Sequence, residues 1–272
     1  MDALFQKCFN FYLNISIVSF FSDINPSDFH LFFDDGGVMN DNMRRGPQWQ
    51  EEIANYFQPI FGGLKSHWKQ ANFNAVAAQI QYDIKIRDQD SEVKFDKFIF
   101  DSALVWGKTM FNEMSVDIDE ETIIFHYNQL EKIVPEKVIA DIPGVINILT
   151  LLYNLGFNLH TASGESSIML RGYLKPMGVH SYFKNFFGPD LIGKIKGSKD
   201  YYPRILSALD VDLNVAIFID DSDFALDLIN QTGATAIHCN ILGSSKSTYP
   251  YSFSDYNDFI PLLQNILNVL TN

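Results

Sequence analysis

Two apolar runs, each halted by paired aspartates, constrain this chain more than any other feature it has. Phe29-His30-Leu31-Phe32-Phe33 stops at Asp34-Asp35-Gly36-Gly37, and the stretch from Asn214 to Ile219 stops at Asp220-Asp221-Ser222. A short apolar run closed by turn residues reads as a buried strand. Between the two, Val145, Ile148, Leu149, Leu152 and Leu155 fall at helical spacing before Gly156, which suits a helix C-terminus. Phe157 to His160 then reads as a strand ending at Thr161. Leu226, Ile229 and Thr232 repeat the helical spacing before Gly233, and Ala234 to Cys239 reads as a fourth strand. Strands that alternate with helices imply a parallel sheet with right-handed crossovers, so the predicted fold is α/β, a doubly wound parallel sheet. Ligands of such sheets lie beyond the carboxyl ends of the strands. Three of the four predicted strands deliver Asp, Thr or Asp-Asp at that end, which locates a candidate site there.

Residues 42–138 lack this rhythm. Trp49 to Phe57, Asn72 to Tyr82, Phe95 to Met110 and Glu121 to Ile133 read as helices, so this stretch is expected to be a helical cap inserted into a core of residues 28–41 and 139–272. Residues 1–27 read as an N-terminal extension. Its apolar part, Leu4 to Phe21, carries Lys7 and is interrupted by Gln6, Asn10, Asn14, Ser16 and Ser19, which makes a poor membrane span. Ser19-Phe20-Phe21-Ser22 is likewise a poor signal-peptide cleavage site. With 47% apolar residues, including 24 Phe and 12 Tyr, the chain can bury a large core. A formal net charge of −13 argues against nucleic acid as a partner, because that affinity rests on Lys and Arg neutralising phosphates. Cys8 and Cys239 suggest neither a disulfide framework nor a zinc site, so a reducing cytoplasm is the expected setting.

The strand ends, taken in order, carry a family resemblance. Phe33-Asp34-Asp35-Gly36-Gly37-Val38 resembles the first motif of haloacid dehalogenase-like hydrolases, D-x-D-G-T/V. Thr161 resembles the second motif, Lys196 in Lys196-Gly197-Ser198-Lys199-Asp200-Tyr201-Tyr202 the third, and Ile219-Asp220-Asp221-Ser222 the fourth. The resemblance implies that Asp34 is a nucleophile that forms an aspartyl-phosphate, splitting one difficult hydrolysis into two easier steps. It implies Mg²⁺ as cofactor, held by Asp34, Asp221 with its neighbour Asp220, and the backbone carbonyl of Gly36, because a carboxylate approaching a phosphate dianion needs a hard cation between them. Lys196 would neutralise charge on Asp34 and the phosphoryl group, and the Thr161 hydroxyl would donate to a phosphoryl oxygen. Lys194 and Lys199 are rivals for the lysine role, and Ser163 for the hydroxyl role.

One position departs from the family pattern. Most phosphatases of the family carry a second Asp two residues after the nucleophile as general acid, and Gly36 stands there. Losing such an acid typically forfeits roughly 10²–10⁴ in rate, least when the leaving group is stable as an anion. The expected activity is Mg²⁺-dependent hydrolysis of a small phosphorylated metabolite. The alternatives are a non-catalytic binding protein on the same fold, or a dehalogenase-like hydrolase, against which the Asp220-Asp221 pair argues. Arg44 and Arg45, where the chain enters the cap, are candidates for binding an anionic substrate, weighed against ordinary surface charge. His30, His160 and His238 read as strand residues, and the oligomeric state is not legible.

Overall fold

The computed structural model describes residues 24–89, 95–243 and 248–271. Cys8 and the stretch from Leu4 to Phe21 therefore lie outside the described residues, as does most of the expected extension.

Six parallel strands form one sheet: β1 (His30–Phe33), β2 (Asn158–Ala162), β3 (Phe183–Phe187), β4 (Ala216–Asp220), β5 (Thr235–Cys239) and β6 (Ser252–Phe253), in the order β3-β2-β1-β4-β5-β6. The order reverses at β1, which pairs with β2 on one side and β4 on the other, so a crevice opens beyond the ends of these three strands. Phe33 faces Thr161 on one side and Ile219 on the other, which sets Asp34 level with Asp220.

Side-chain alternation builds a core on each face. Leu31, Phe33, Ile217 and Ile219 pack with Val145, Leu149 and Leu152 of α5 (Val145–Leu155), Leu170 of α6 (Ser167–Leu174) and Leu263 and Ile266 of α10 (Phe259–Thr271). Phe32 and Phe218 point the other way, onto Tyr202 and Ile205 of α8 (Tyr201–Leu209) and Leu226 and Ile229 of α9 (Asp223–Thr232). A short turn of helix, α7 (Pro189–Ile192), precedes α8. The sheet is thus covered on both sides, as the strand–helix alternation requires.

Four helices lie between β1 and α5: α1 (Asn42–Phe61), α2 (Lys65–Gln89), α3 (Phe95–Glu113) and α4 (Glu120–Ile133). They share an apolar cluster around Phe57, Trp68, Trp106 and Phe111, which also takes in Ala140 and, from α6, Tyr173. α1 begins seven residues before the expected Trp49. The Asp41 side chain caps the helix by accepting from Met43 N at 2.8 Å, and the helix passes through Pro47. Two strands go beyond the four that the sequence pattern predicts. β3 contains the exposed Lys184 and the half-buried Asn185, two polar residues that spoil its apolar pattern, and β6 is two residues long. No helix of the described residues is long and apolar enough to cross a membrane.

The α3–α4 crossing depends on Gly107. A Cβ there would overlap Ile123 Cγ2 and lie 3.2 Å from its Cβ, and Ile123 is buried. Overpacking of this kind costs roughly 1–3 kcal/mol, against a helix-propensity gain of up to about 1 kcal/mol for replacing Gly by Ala. Gly107→Ala is therefore expected to destabilise the protein in urea unfolding; a gain in stability would show that the crossing is looser than described.

Candidate active site

Asp34 is the first residue past β1 and is nearly buried; its N–H donates to Ile219 O at 3.0 Å, which holds the carboxylate at the strand end. Asp220 closes β4 at 1% exposure and accepts from Ser222 N at 3.0 Å and from Tyr202 OH at 3.4 Å. Lys196 reaches both, with Nζ 2.8 Å from Asp34 Oδ2 and 2.7 Å from Asp220 Oδ2. Its rivals stand elsewhere: Lys194 pairs with Asp200 at 3.6 Å, and Lys199 is exposed. Burial alone would lower the Lys196 pKa, but the Asp220 and Asp34 carboxylates outweigh it and hold the ammonium well above its ordinary value. Burial pushes the Asp220 carboxyl upward; Lys196 opposes this and the Asp34 charge adds to it.

Asp221 completes a trio. One carboxylate oxygen from each of Asp34, Asp220 and Asp221 lies within 4.8 Å of the others. Gly37 makes room for it: its φ is +82°, and a Cβ there would collide with the Asp221 carboxylate. Carboxylate oxygen donors grouped in this way fit a hard divalent cation. Gly36, the expected backbone ligand, is bridged to Asn40 and does not have a left-handed φ.

The two hydroxyl candidates stand differently. β2 runs on to Ala162, one residue past Thr161, so Thr161 stays inside the sheet. It is fully buried, and Oγ1 donates to Phe187 O of β3 at 3.2 Å. Ser163 is the first residue beyond the strand. Its carbonyl accepts from Tyr201 OH at 2.7 Å, and its Oγ accepts from Glu165 N at 3.3 Å.

The two arginines separate. Arg44 is exposed and donates to Asp141 O at 2.8 Å. Arg45 turns inward onto Asp35 and Glu165, the latter at 3.1 Å, and lies over the Tyr173 ring at 4.8 Å. Asp35 is fully buried and also accepts from Asn40 Nδ2 at 2.7 Å. Burial raises the Asp35 carboxyl, with Arg45 and Asn40 opposing. Glu165 is raised by burial too, opposed by Arg45 and reinforced by Asp35 and Asp34. Sequence reasoning misses Glu165, Tyr202 and Asn42, whose side chain accepts from Arg45 at 2.5 Å. A carboxylate four residues past a strand-end Thr and an amide at a helix start carry no local signal.

The model of the haloacid dehalogenase-like hydrolase family matches residues 95–237. A curated relative from Dickeya dadantii (strain 3937), named "Probable phosphatase IndB", is 23% identical over 129 residues, 46% of this chain; the match spans 56% of that relative's length. Among solved structures, the magnesium-bound HAD-hydrolase YfnB from Bacillus subtilis is 17% identical with a TM-score of 0.56, covering 86% of this chain and 98% of that one. A HAD phosphatase from Thermococcus onnurineus is 18% identical with a TM-score of 0.56, over 86% of this chain and 97% of that one. L-2-haloacid dehalogenase from Xanthobacter autotrophicus, with chloropropionic acid covalently bound, is 12% identical with a TM-score of 0.55, over 86% and 98%. At such identities the structural likeness concerns the fold.

Proposed function

The chain belongs to the haloacid dehalogenase-like hydrolases, and on that premise we propose that it is a Mg²⁺-dependent phosphohydrolase acting on a small phosphorylated metabolite through an aspartyl-phosphate at Asp34. The observation that carries this reading is the convergence of Asp34, Asp220 and Asp221 on one point, with Lys196 bridging the first two. A halide leaves without phosphoryl charge to neutralise, so a dehalogenase has little use for the two further carboxylates.

Asp34 Oδ attacks phosphorus in line; the bond from phosphorus to the leaving oxygen breaks, and its electron pair goes with that oxygen. Water then attacks the aspartyl-phosphate, releasing inorganic phosphate and restoring the Asp34 carboxylate. Mg²⁺ held by Asp34, Asp221, Asp220 and the Gly36 carbonyl would supply charge neutralisation between carboxylate and phosphoryl group. Lys196, kept charged by its two carboxylate partners, orients Asp34 and offsets phosphoryl charge. The hydroxyl donor to a phosphoryl oxygen is better supplied by Ser163, beyond the strand end, than by Thr161, which is bonded within the sheet. We take residues 42–138 as a cap on a core of 28–41 and 139–272, a division supported by the apolar cluster that α1–α4 build and that meets the core at Ala140 and Tyr173.

The test is hydrolysis of 4-nitrophenyl phosphate by the purified protein, with Mg²⁺ and with a chelator. Turnover is expected only with the metal. Across aryl phosphates, log kcat/KM should fall steeply as leaving-group pKa rises, because no carboxyl at residue 36 protonates the departing oxygen. A chelator-indifferent rate would overturn the metal reading; a shallow slope would mean that another acid, such as Glu165, already acts.

A further inference from the structure

Gly36 has no side chain, yet the space that one would fill is taken. A Cβ on Gly36 would lie 2.8 Å from both Asn42 Nδ2 and Asn42 Oδ1, and 3.2 Å from Asn42 Cγ. The Asn42 amide therefore lies against the backbone two residues past Asp34. Because Gly36 does not have a left-handed φ, Asn42 rather than the backbone refuses a side chain there.

The amide is held in place from two directions. Asn42 is the first residue of α1, whose start is tied to the core by Asp41 N donating to Ala140 O at 2.8 Å and by the bridges from Asn40 to Gly36 and Asp141. Arg45 Nη2 donates to Asn42 Oδ1 at 2.5 Å. A guanidinium has no acceptor, so the carbonyl end of the amide must face Arg45, which Asp35 and Glu165 clamp in turn. Nδ2 is then fixed as the other end, carrying two N–H groups with no acceptor among the described residues, on an exposed residue.

We propose that Asn42 Nδ2 donates a hydrogen bond to the leaving-group oxygen as its bond to phosphorus breaks, in the volume that a residue-36 carboxyl would otherwise occupy. This rests on the phosphohydrolase reading and deepens it. The amide stabilises developing charge but keeps its proton, so the leaving group departs as an anion and is protonated by water afterwards. The substrates that suit such a site are phosphates of acidic hydroxyl groups, aryl, enol or acyl, and not simple alkyl phosphates.

The experiment compares Asn42→Ala with the unmodified protein on 4-nitrophenyl phosphate and phenyl phosphate in Mg²⁺, with Asp34→Asn as the control for rate arising at this site. For phenyl phosphate, kcat should fall roughly 10–100-fold with KM little changed, less than the roughly 10²–10³ that a buried oxyanion-hole donor carries, since Asn42 is exposed. For 4-nitrophenyl phosphate the loss should be several times smaller. The double variant Gly36→Asp/Asn42→Ala, which empties the space and supplies an acid, should recover phenyl phosphate turnover above the Asn42→Ala level. Equal losses on both substrates, or a change in KM alone, would overturn the proposal while leaving the phosphohydrolase reading intact. Absence of any Asp34-dependent hydrolysis by the unmodified protein would overturn both.

Discussion

Asp34→Asn is expected to remove Mg²⁺-dependent hydrolysis of 4-nitrophenyl phosphate almost completely, by roughly 10³–10⁶-fold in kcat, the range over which removal of a covalent nucleophile or its activating partners acts. The amide matches the carboxylate in size and can still sit beside Lys196, 2.8 Å from the carboxylate it replaces, so the variant should fold. Its oxygen is too weak a nucleophile to attack phosphorus, and the site loses one of three converging negative charges. Rapid acid quench of the unmodified protein during turnover should show a mass increase of one phosphoryl group, and the variant none. Full activity in Asp34→Asn, or a phosphoryl adduct on another residue, would sink the assignment of Asp34. Asp221→Asn separates the two roles of the cluster: it should retain the nucleophile but shift the Mg²⁺ dependence to higher concentration.

The second large effect concerns stability. Asp35 is fully buried, and its strongest partner is Arg45, itself only 12% exposed. Arg45→Met keeps the aliphatic bulk over Tyr173 but strands a buried carboxylate, which typically costs roughly 3–5 kcal/mol. For a chain of this size that lowers the melting temperature by roughly 6–20 °C. Burial already holds the Asp35 pKa in the folded protein above its ordinary value, and losing Arg45 raises it further, so the folded state binds this proton more tightly than the unfolded chain. The deficit should therefore shrink as pH falls towards the ordinary carboxylate range and grow above it. Asp35→Asn added to Arg45→Met should restore most of the loss, since the amide keeps a contact with Asn40. Arg44→Ala, an exposed side chain with a single bond to a carbonyl, should change stability by no more than about 0.5 kcal/mol. Equal melting temperatures for Arg45→Met and the unmodified protein would show that Arg45 does not support Asp35.

Local chemistry makes much of this protein legible in its sequence alone. Apolar runs halted at Asp34 and Asp220 mark the two central strands, because a buried strand cannot continue through paired carboxylates and turn residues. Glycines 156 and 233 mark helix ends, and both adopt the left-handed conformation that such ends require. The alternation of strands with helices determines the parallel sheet, and the sheet determines the end at which the carboxylates meet.

What the sequence could not decide is which side chains meet across long separations. The choice of Lys196 over Lys194 and Lys199 depends on how its loop crosses the ends of β1 and β4. Thr161 and Ser163 both sit near a strand end; only the pairing of β2 with β3 shows that Thr161 is spent on Phe187 O. Arg45 reads in sequence as a substrate-binding or a surface cation, because nothing near it signals burial against Glu165, which stands 120 residues away. Asn42 fills the gap at Gly36 for the same reason. Propensity and periodicity report a residue's own neighbourhood, whereas a site is set by strand register and by the angle at which an inserted helix meets the sheet, and both are properties of the packed whole.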